Sequence, residues 1–254
     1  MKFTLEAYEA MLKKLSDKGY QFKNYKNWQE SEKTVILRHD VDMNLEKAAL
    51  LAEFENDVCQ GKADATYYVL VSTDFYNIHS KASREYLRKI IRSGGNIGLH
   101  FDEVQYPISN EEEMIAYVNR EIEILSNAIG EKVDTVSMHR PSEKVLSANI
   151  EFPGVINSYN EIYFKQMKYV SDSRRHWREN VDDIIEQAAY PRLHVLTHPV
   201  WYRRSQEQDL RETLKELVLH AALDRYDSLF DNFRDLGDEL RRTEIEELIA
   251  QQEK

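Results

Sequence analysis

Short β-rich runs alternate with amphipathic helical patterns along most of this chain of 254 residues, and this alternation limits the folds open to it. The runs are TVILRH (34–39), TYYVLV (66–71), NIGLHF (96–101), DTVSMH (134–139), GVINSY (154–159), KYVSDS (168–173) and RLHVLTH (192–198). Strands separated by helices pair in parallel, because each helix returns the chain to the same end of the sheet. Seven units in about 170 residues predict an α/β fold with a closed or nearly closed parallel barrel.

Helical patterns with recognisable start signals fill several of the gaps between the runs. We expect helices over 5–18, 45–59, 80–92, 111–129 and 180–189, with N-caps at Thr4, Asn44, Ser80 and Asn110. An open, doubly wound parallel sheet is the alternative architecture. That fold would need a glycine-rich phosphate loop after an early strand, and none is present.

The last fifty residues differ from the rest in pattern and charge. Residues 205–254 carry 14 Asp and Glu against 7 Lys and Arg, and apolar residues recur every three or four positions. We therefore divide the chain into a barrel domain over 1–204, which includes the first helix, and an acidic helical extension over 205–254. The extension is expected to pack on the barrel or on a second subunit of a homo-oligomer.

Overall charge and cysteine content exclude several classes of function. A net charge of −11 repels phosphate backbones and anionic lipid, which argues against a nucleic-acid partner. The single cysteine, Cys59, cannot form an internal disulfide and suits a reducing compartment. The sequence shows neither a basic start followed by an apolar core nor an apolar stretch of about 18 residues. We expect a cytoplasmic protein without a membrane span.

Most of the β-rich runs end in ionisable residues. The residues at these ends are Asp40, Asp42, His100, Asp102, His139, Arg140, Asp172 and His198. In a parallel barrel, the carboxyl ends of all strands open on one face, where sites built from several strands assemble. A lone Asp or His at such a position is more often a helix cap or a satisfied core group. Five strands ending in this way favour a shared site.

Carboxylates and imidazoles at one barrel mouth are suitable ligands for a divalent metal. An open site of such ligands fits Zn²⁺ best, with Mn²⁺ or Co²⁺ as alternatives, and a bound ion lowers the pKa of water toward 7. A neighbouring carboxylate can then accept the proton of that water. Because side chains alternate along a strand, Asp40 and Asp42 share one face. Arg38 shares it too and is expected to pair with a carboxylate.

Five segments resemble, in order, the motifs of the polysaccharide deacetylase superfamily, also called NodB-homology or family-four carbohydrate esterases. The segments are RHDVD, GGNIGLHFD, MHRPS, SDSRRHW and LTHPVW, within residues 34–202. The resemblance implies a distorted (β/α)7 barrel that uses a metal and water to remove N- or O-acetyl groups from sugars. It gives Asp40 the role of catalytic base, Asp42 and His100 those of metal ligands, and His198 that of general acid. Asp172 would orient another group of the site.

The sequence departs from the family pattern at two positions. Where the second motif has a further metal-binding histidine, this chain has Val104, and His139 stands at the usual arginine position of the third motif. Asp102 or His139 is therefore expected to complete the metal shell, with His139 favoured. Substrate contacts are expected at Arg140, Trp177 and Trp201. The indole rings of the two tryptophans either offer faces for a sugar or pack against the protein.

The sequence thus predicts a metal-dependent hydrolase of the deacetylase type, acting on an intracellular sugar or sugar-linked intermediate. One alternative is a non-catalytic, carbohydrate-binding or regulatory barrel with a degenerate metal site. Another is a metal-dependent barrel hydrolase for phosphate esters or cyclic amides.

Overall fold

The computed structural model describes residues 1–204 and 206–251 of the chain. The chain divides into two compact units, residues 1–205 and residues 206–254. The predicted domain boundary touches residue 205, and the predicted end of the extension covers 252–254. These positions lie outside the described residues, so the domain limits stay a prediction.

One parallel sheet organises the first unit. Its strands are β1 (Gln21–Phe22), β2 (Thr34–Val41), β3 (Thr66–Leu70), β4 (Asn96–Phe101), β5 (Thr135–Met138), β6 (Ile156–Asn157), β7 (Lys168–Ser171) and β8 (Arg192–Thr197). Their order is β6-β5-β4-β3-β2-β8-β7, with β1 beside β2. Each strand pairing is parallel in the part of the chain described.

The strand order is that of a barrel opened at one seam. Following the sheet, strands two to eight occur in cyclic order, and the break falls between β6 and β7. A doubly wound sheet would instead reverse its strand order at a switch point. The predicted α/β fold class, a distorted parallel (β/α)7 barrel, is therefore confirmed.

The helices follow the predicted pattern closely. In the first unit they are α1 (Leu5–Asp17), α2 (Leu45–Cys59), α3 (Lys81–Arg92), α4 (Glu111–Ile129), α5 (Glu143–Ala148), α6 (Glu161–Phe164) and α7 (Val181–Gln187). The side chains of Thr4, Asn44, Ser80 and Asn110 each accept a hydrogen bond from a first-turn amide, which confirms the four predicted N-caps. Asn44 caps α2, so the Asp42 carboxylate is left for another role.

The predicted strand over 154–159 is shorter in the structure. Only Ile156–Asn157 form β6, because the preceding residues make a turn closed by the bond from Val155 N to Phe152 O, 3.0 Å. Gly154 takes a φ of +74° within that turn, a conformation that glycine adopts without strain. A short β6 leaves the seam of the barrel open.

The barrel interior is filled by aromatic and aliphatic side chains near the amino ends of the strands. This cluster consists of Tyr25, Trp28, Ile36, Tyr68, Tyr163 and Met167. Tyr163 comes from α6, the short helix between the two seam strands. The cluster therefore links the residues before β2 and those between β6 and β7 to β2 and β3.

The second unit is helical, as predicted. Its helices are α8 (Leu210–Leu229), α9 (Leu236–Glu239) and α10 (Arg242–Gln251). Its role in a homo-oligomer stays a prediction. Across residues 1–204 and 206–251, none of the helices has the length and apolarity needed to cross a bilayer.

Candidate metal and catalytic site

Three side chains from three different strand ends converge at the barrel mouth. Asp42 follows β2, His100 lies in β4, and His139 follows β5. Asp42 Oδ1 is 3.2 Å from His100 Nε2 and 3.4 Å from His139 Nδ1. The two imidazole nitrogens are themselves 3.2 Å apart. We call these three residues the ligand trio. Among the described residues, they form the one group of this kind whose ligand atoms lie within 4.8 Å of one another.

The geometry and chemistry of the trio fit a divalent metal. Ligand atoms at about 2.0–2.1 Å from a tetrahedral ion are about 3.3 Å apart, close to the three separations observed. Oδ1 of Asp42 is buried and accepts no well-aligned hydrogen bond from the described residues, which leaves this oxygen available for an ion. Nδ1 of His100 lies 3.4 Å from the carbonyl oxygen of Ser137, and a proton on Nδ1 leaves the Nε2 lone pair free for a metal.

Asp40 lies beside the trio but is held by a different partner. Arg38 donates from Nε to Asp40 Oδ1 and from Nη2 to Oδ2, each at 2.8 Å. The expected pairing of Arg38 with a carboxylate is therefore confirmed. Burial alone would raise the pKa of Asp40, but the Arg38 charge, with His100, outweighs burial and lowers the pKa. Asp40 is thus a carboxylate, able to accept a proton.

His198, which follows β8, and Asp172, which follows β7, form a second acid–base pair at the mouth. His198 Nδ1 lies 2.6 Å from Asp172 Oδ1, and Asp172 Oδ2 accepts from the amide of His198 and from the hydroxyl of Tyr202. These bonds orient the ring, whose Nε2 lies 3.7 Å from Asp42 Oδ2. Burial would lower the pKa of His198, but Asp172 more than compensates and raises it to about 9. A protonated His198 can donate to a leaving group.

The structure separates the two candidates for the third ligand. His139 belongs to the trio, whereas Asp102 pairs with Arg140 and also accepts from Gln105 Nε2 at 3.2 Å. Val104, at the position where the family motif has a histidine, is 69% exposed and follows the strand end in a 3-10 turn. The amide of His139 donates to the carbonyl of Phe101 at 2.7 Å, which brings the imidazole toward β4.

The three residues predicted to contact a substrate differ in how exposed their side chains are. Arg140 is largely exposed but tied to Asp102, and it adopts a φ of +51°. Trp201 is buried, so its ring offers little surface, while Trp177 is half-buried. The indole Nε1 of both tryptophans is buried and has no hydrogen-bond partner in the described part of the chain. Of the two rings, Trp177 is therefore the better candidate for contact with a substrate.

Electrostatics distinguish the two aspartates of the RHDVD segment. Burial would raise the pKa of Asp42, but the imidazoles of His100 and His139 outweigh burial and hold the pKa well below its usual range. Asp42 thus faces the other ligands, while Asp40 faces Arg38. The structure gives the two carboxylates different partners although they lie two residues apart.

Two residues that contact Arg38 were not expected from the sequence. Ser137 accepts from Arg38 Nη2 through its side chain, and Tyr159 places its ring 4.8 Å from the Arg38 guanidinium. Ser137 lies in β5 two positions before His139, which follows that strand, so strand alternation could have placed Ser137 on the site face. No comparable signal marks Tyr159, because the strand before it is so short.

No protein-family model matches the chain, and no curated protein matches it significantly. Solved structures do match. One is the Xyl-CE4 domain of a multidomain xylanase from the hindgut metagenome of Trinervitermes trinervoides, with 16% identity, 66% of this chain and 75% of that chain covered, and a TM-score of 0.43. Another is the chitin deacetylase of Colletotrichum lindemuthianum, with 14% identity, 74% and 81% covered, and a TM-score of 0.43.

A CE4 family pseudoenzyme from Bacillus anthracis also matches, with 15% identity and a TM-score of 0.39. The match covers 75% of this chain but 61% of the pseudoenzyme, less than two thirds of its length. The matches thus include a chitin deacetylase and a pseudoenzyme. At these identities and TM-scores, function has to be argued from the residues of this chain.

Proposed function

We propose that this protein is a metal-dependent hydrolase that removes an N- or O-acyl group from a sugar or sugar-linked compound. The observation that carries the proposal is the ligand trio, with a carboxylate on one side and an oriented histidine on the other. Five motif-like segments in the order of the polysaccharide deacetylases support the choice of substrate. Zn²⁺ suits the trio of one carboxylate and two imidazoles, with Mn²⁺ or Co²⁺ as substitutes.

Asp42, His100 and His139 would hold the ion. When bound, an ion with an open position makes water more acidic and polarises a carbonyl group. Asp40 accepts the proton of the attacking water, because Arg38 keeps its carboxylate ionised and fixed. His198 donates its proton to the leaving amine or alkoxide, since the Asp172 carboxylate stabilises the protonated ring.

Orientation of the acid depends on a second group of residues. Asp172 is fully buried and accepts three hydrogen bonds, one from the hydroxyl of Tyr202. This arrangement fixes the orientation of the His198 ring, with Nδ1 toward Asp172 and Nε2 toward Asp42. Trp177 is proposed as a surface for the sugar ring, and Arg140 as a rim contact. A cytoplasmic location is proposed from the free Cys59, which suits a reducing compartment.

Metal analysis and a substrate panel test the proposal together. The purified protein is loaded with Zn²⁺, Mn²⁺ or Co²⁺, dialysed and analysed for metal, then assayed for acetate release from N- and O-acetylated sugars. We expect about one ion per chain and acetate release that depends on it. Less than about 0.1 ion per chain would favour the non-catalytic barrel. Turnover of phosphate esters or cyclic amides in place of acetylated sugars would favour the other class of hydrolase.

A further inference from the structure

Arg38 is a wholly buried cation that lies on the same face of β2 as Asp40. Its guanidinium makes two parallel hydrogen bonds to Asp40, donates to the hydroxyl of Ser137, and lies 4.8 Å from the ring centre of Tyr159 and 5.5 Å from that of Tyr68. Bidentate, charge-assisted pairs of this kind fix both carboxylate oxygens in direction. Asp40 therefore has little freedom to turn toward any other partner.

The fixed carboxylate of Asp40 lies close to one member of the ligand trio, His100. Asp40 Oδ2 is 3.5 Å from His100 Nε2, nearly the separation that the trio atoms have from one another. Asp40 lies outside the group whose ligand atoms are all within 4.8 Å of one another, so its carboxylate would have to turn away from Arg38 to become a fourth protein ligand. Four protein ligands are typical of structural zinc sites, whereas catalytic sites use three and leave one position open.

We propose that Arg38 is a positioning residue that withholds Asp40 from the metal. It thereby keeps one coordination position open and keeps Asp40 available as a base. This inference rests on the proposed function, because it concerns the same metal site. The inference concerns a different property from the proposed function. The trio determines whether an ion binds, whereas Arg38 determines how many protein ligands the ion has.

Two features of Arg38 make the restraint strong. Its Nη1 is buried without a hydrogen-bond partner among the described residues, so none of them offers a second carboxylate already bonded to the guanidinium if Asp40 leaves. Movement of Asp40 to the ion would leave a fully buried cation without its counter-charge, which proteins avoid. The neighbouring rings of Tyr159 and Tyr68 contact the cation but cannot replace a carboxylate.

The sign of one measurement tests the inference. Most residues that support metal ligands weaken metal binding by about 10- to 100-fold when they are replaced. The Arg38→Met variant should do the opposite and bind Mn²⁺ about 10-fold tighter or more, because Asp40 is released to join the trio. Water-proton relaxation per bound Mn²⁺ should fall at the same time, since Asp40 displaces a coordinated water. Titration of Mn²⁺ followed by relaxation measures both quantities.

Matched variants separate this effect from others. Asp40→Asn alone should leave Mn²⁺ affinity close to that of the unmodified protein, and in the double variant with Arg38→Met the tightening should disappear. Unchanged or weaker binding by Arg38→Met, or tightening that persists in the double variant, would overturn the inference. Failure of the unmodified protein to bind Mn²⁺ or Zn²⁺ would overturn the proposed function and this inference with it.

A measurement on the unmodified fold covers the case in which Arg38→Met does not fold. Infrared difference spectra recorded with and without Mn²⁺, in the unmodified protein and in Asp40→Asn, isolate the Asp40 carboxylate bands. We expect those bands to keep the spacing of an uncoordinated carboxylate when Mn²⁺ binds. A shift of the Asp40 bands to the spacing of a metal-bound carboxylate would overturn the inference.

Discussion

The two faces of β2 carry two buried acid–base clusters that look alike in composition. On the barrel side, Arg38 pairs with Asp40, and Asp40 lies next to His100 of the ligand trio. On the helix side, His39 Nε2 lies 2.9 Å from Glu55 Oε1 on α2, and its Nδ1 lies 2.7 Å from Thr197 Oγ1. Glu55 is 2% exposed, so both clusters bury a carboxylate beside an imidazole.

The clusters differ in whether their carboxylates are satisfied. Glu55 accepts hydrogen bonds from the hydroxyls of Tyr8 and Tyr67, at 2.5 Å and 2.6 Å, so each of its oxygens has a donor from the protein. Asp42 Oδ1 has no well-aligned donor within residues 1–204 and 206–251, and two imidazole nitrogens converge on it. Buried ionisable groups alone therefore do not define a site. Convergence of ligand atoms on an unsatisfied one does.

The largest expected effect comes from removing the charge of Asp42. Asp42→Asn should abolish metal binding and deacetylation together, because an amide oxygen is a much weaker ligand than a carboxylate. Elemental analysis and acetate release measure the two losses. Full metal occupancy in Asp42→Asn would contradict the assignment of Asp42 as a ligand and of the barrel-side cluster as the metal site.

Asp40→Asn should separate the two aspartates. Metal content should be retained, while kcat should fall by roughly 10²–10⁴, the usual contribution of a positioned general base. The same two assays apply, with the unmodified protein loaded in parallel. Equal metal content in Asp40→Asn and Asp42→Asn, whether lost or retained, would contradict the assignment of separate roles.

The third ligand gives a smaller effect. His139→Ala should weaken metal binding by at least about 10-fold. Asp102→Ala should weaken it less, because Asp102 pairs with Arg140 and lies outside the trio. Val104→Ala, at an exposed position, serves as the control and should bind like the unmodified protein. A larger loss in Asp102→Ala than in His139→Ala would exchange the two roles.

His198 should make the stability of the metal-free protein depend on pH. The pKa of His198 is raised from 6.5 to about 9 in the folded protein. Its contribution to the free energy of unfolding is thus fully present below about pH 6.5 and is lost as pH rises through about 9. Urea unfolding between pH 7 and pH 10 should show this decline, and His198→Gln should lack it. Variant His220→Gln, at an exposed position, should keep it.

The helix-side cluster should affect stability alone. Glu55→Gln should lower the free energy of unfolding by about 1–3 kcal/mol, because one amide hydrogen bond donor now faces the tyrosine hydroxyls. Metal affinity should not change. Glu53→Gln, half-exposed on the same helix, is the matched control and should stay within about 0.5 kcal/mol. Loss of metal in Glu55→Gln would show that the two clusters are coupled.

Strand ends and helix caps could be predicted because their signals are local. Asn44 precedes an apolar periodic segment, and the runs over β2 and β4 carry β-branched or apolar side chains next to ionisable ends. The role of Asp102 could not be settled in this way. Asp102 stands two residues after His100 and shares that residue's face by alternation. In the structure, however, it forms an ion pair with Arg140, which follows another strand. Such competition between partners depends on positions that only the folded chain brings together.

The seam and the parallel pairing also determine when the site forms. Neighbouring strands are joined through long connections, and the contact between His39 and Thr197 spans 158 positions of the chain. Contacts of this range form slowly, because a large loop must close first. About 60 residues separate His139 from His198, which takes roughly 3–12 s to synthesise. For several seconds, the growing chain therefore carries all three residues of the trio but lacks both β8 and the histidine that follows it.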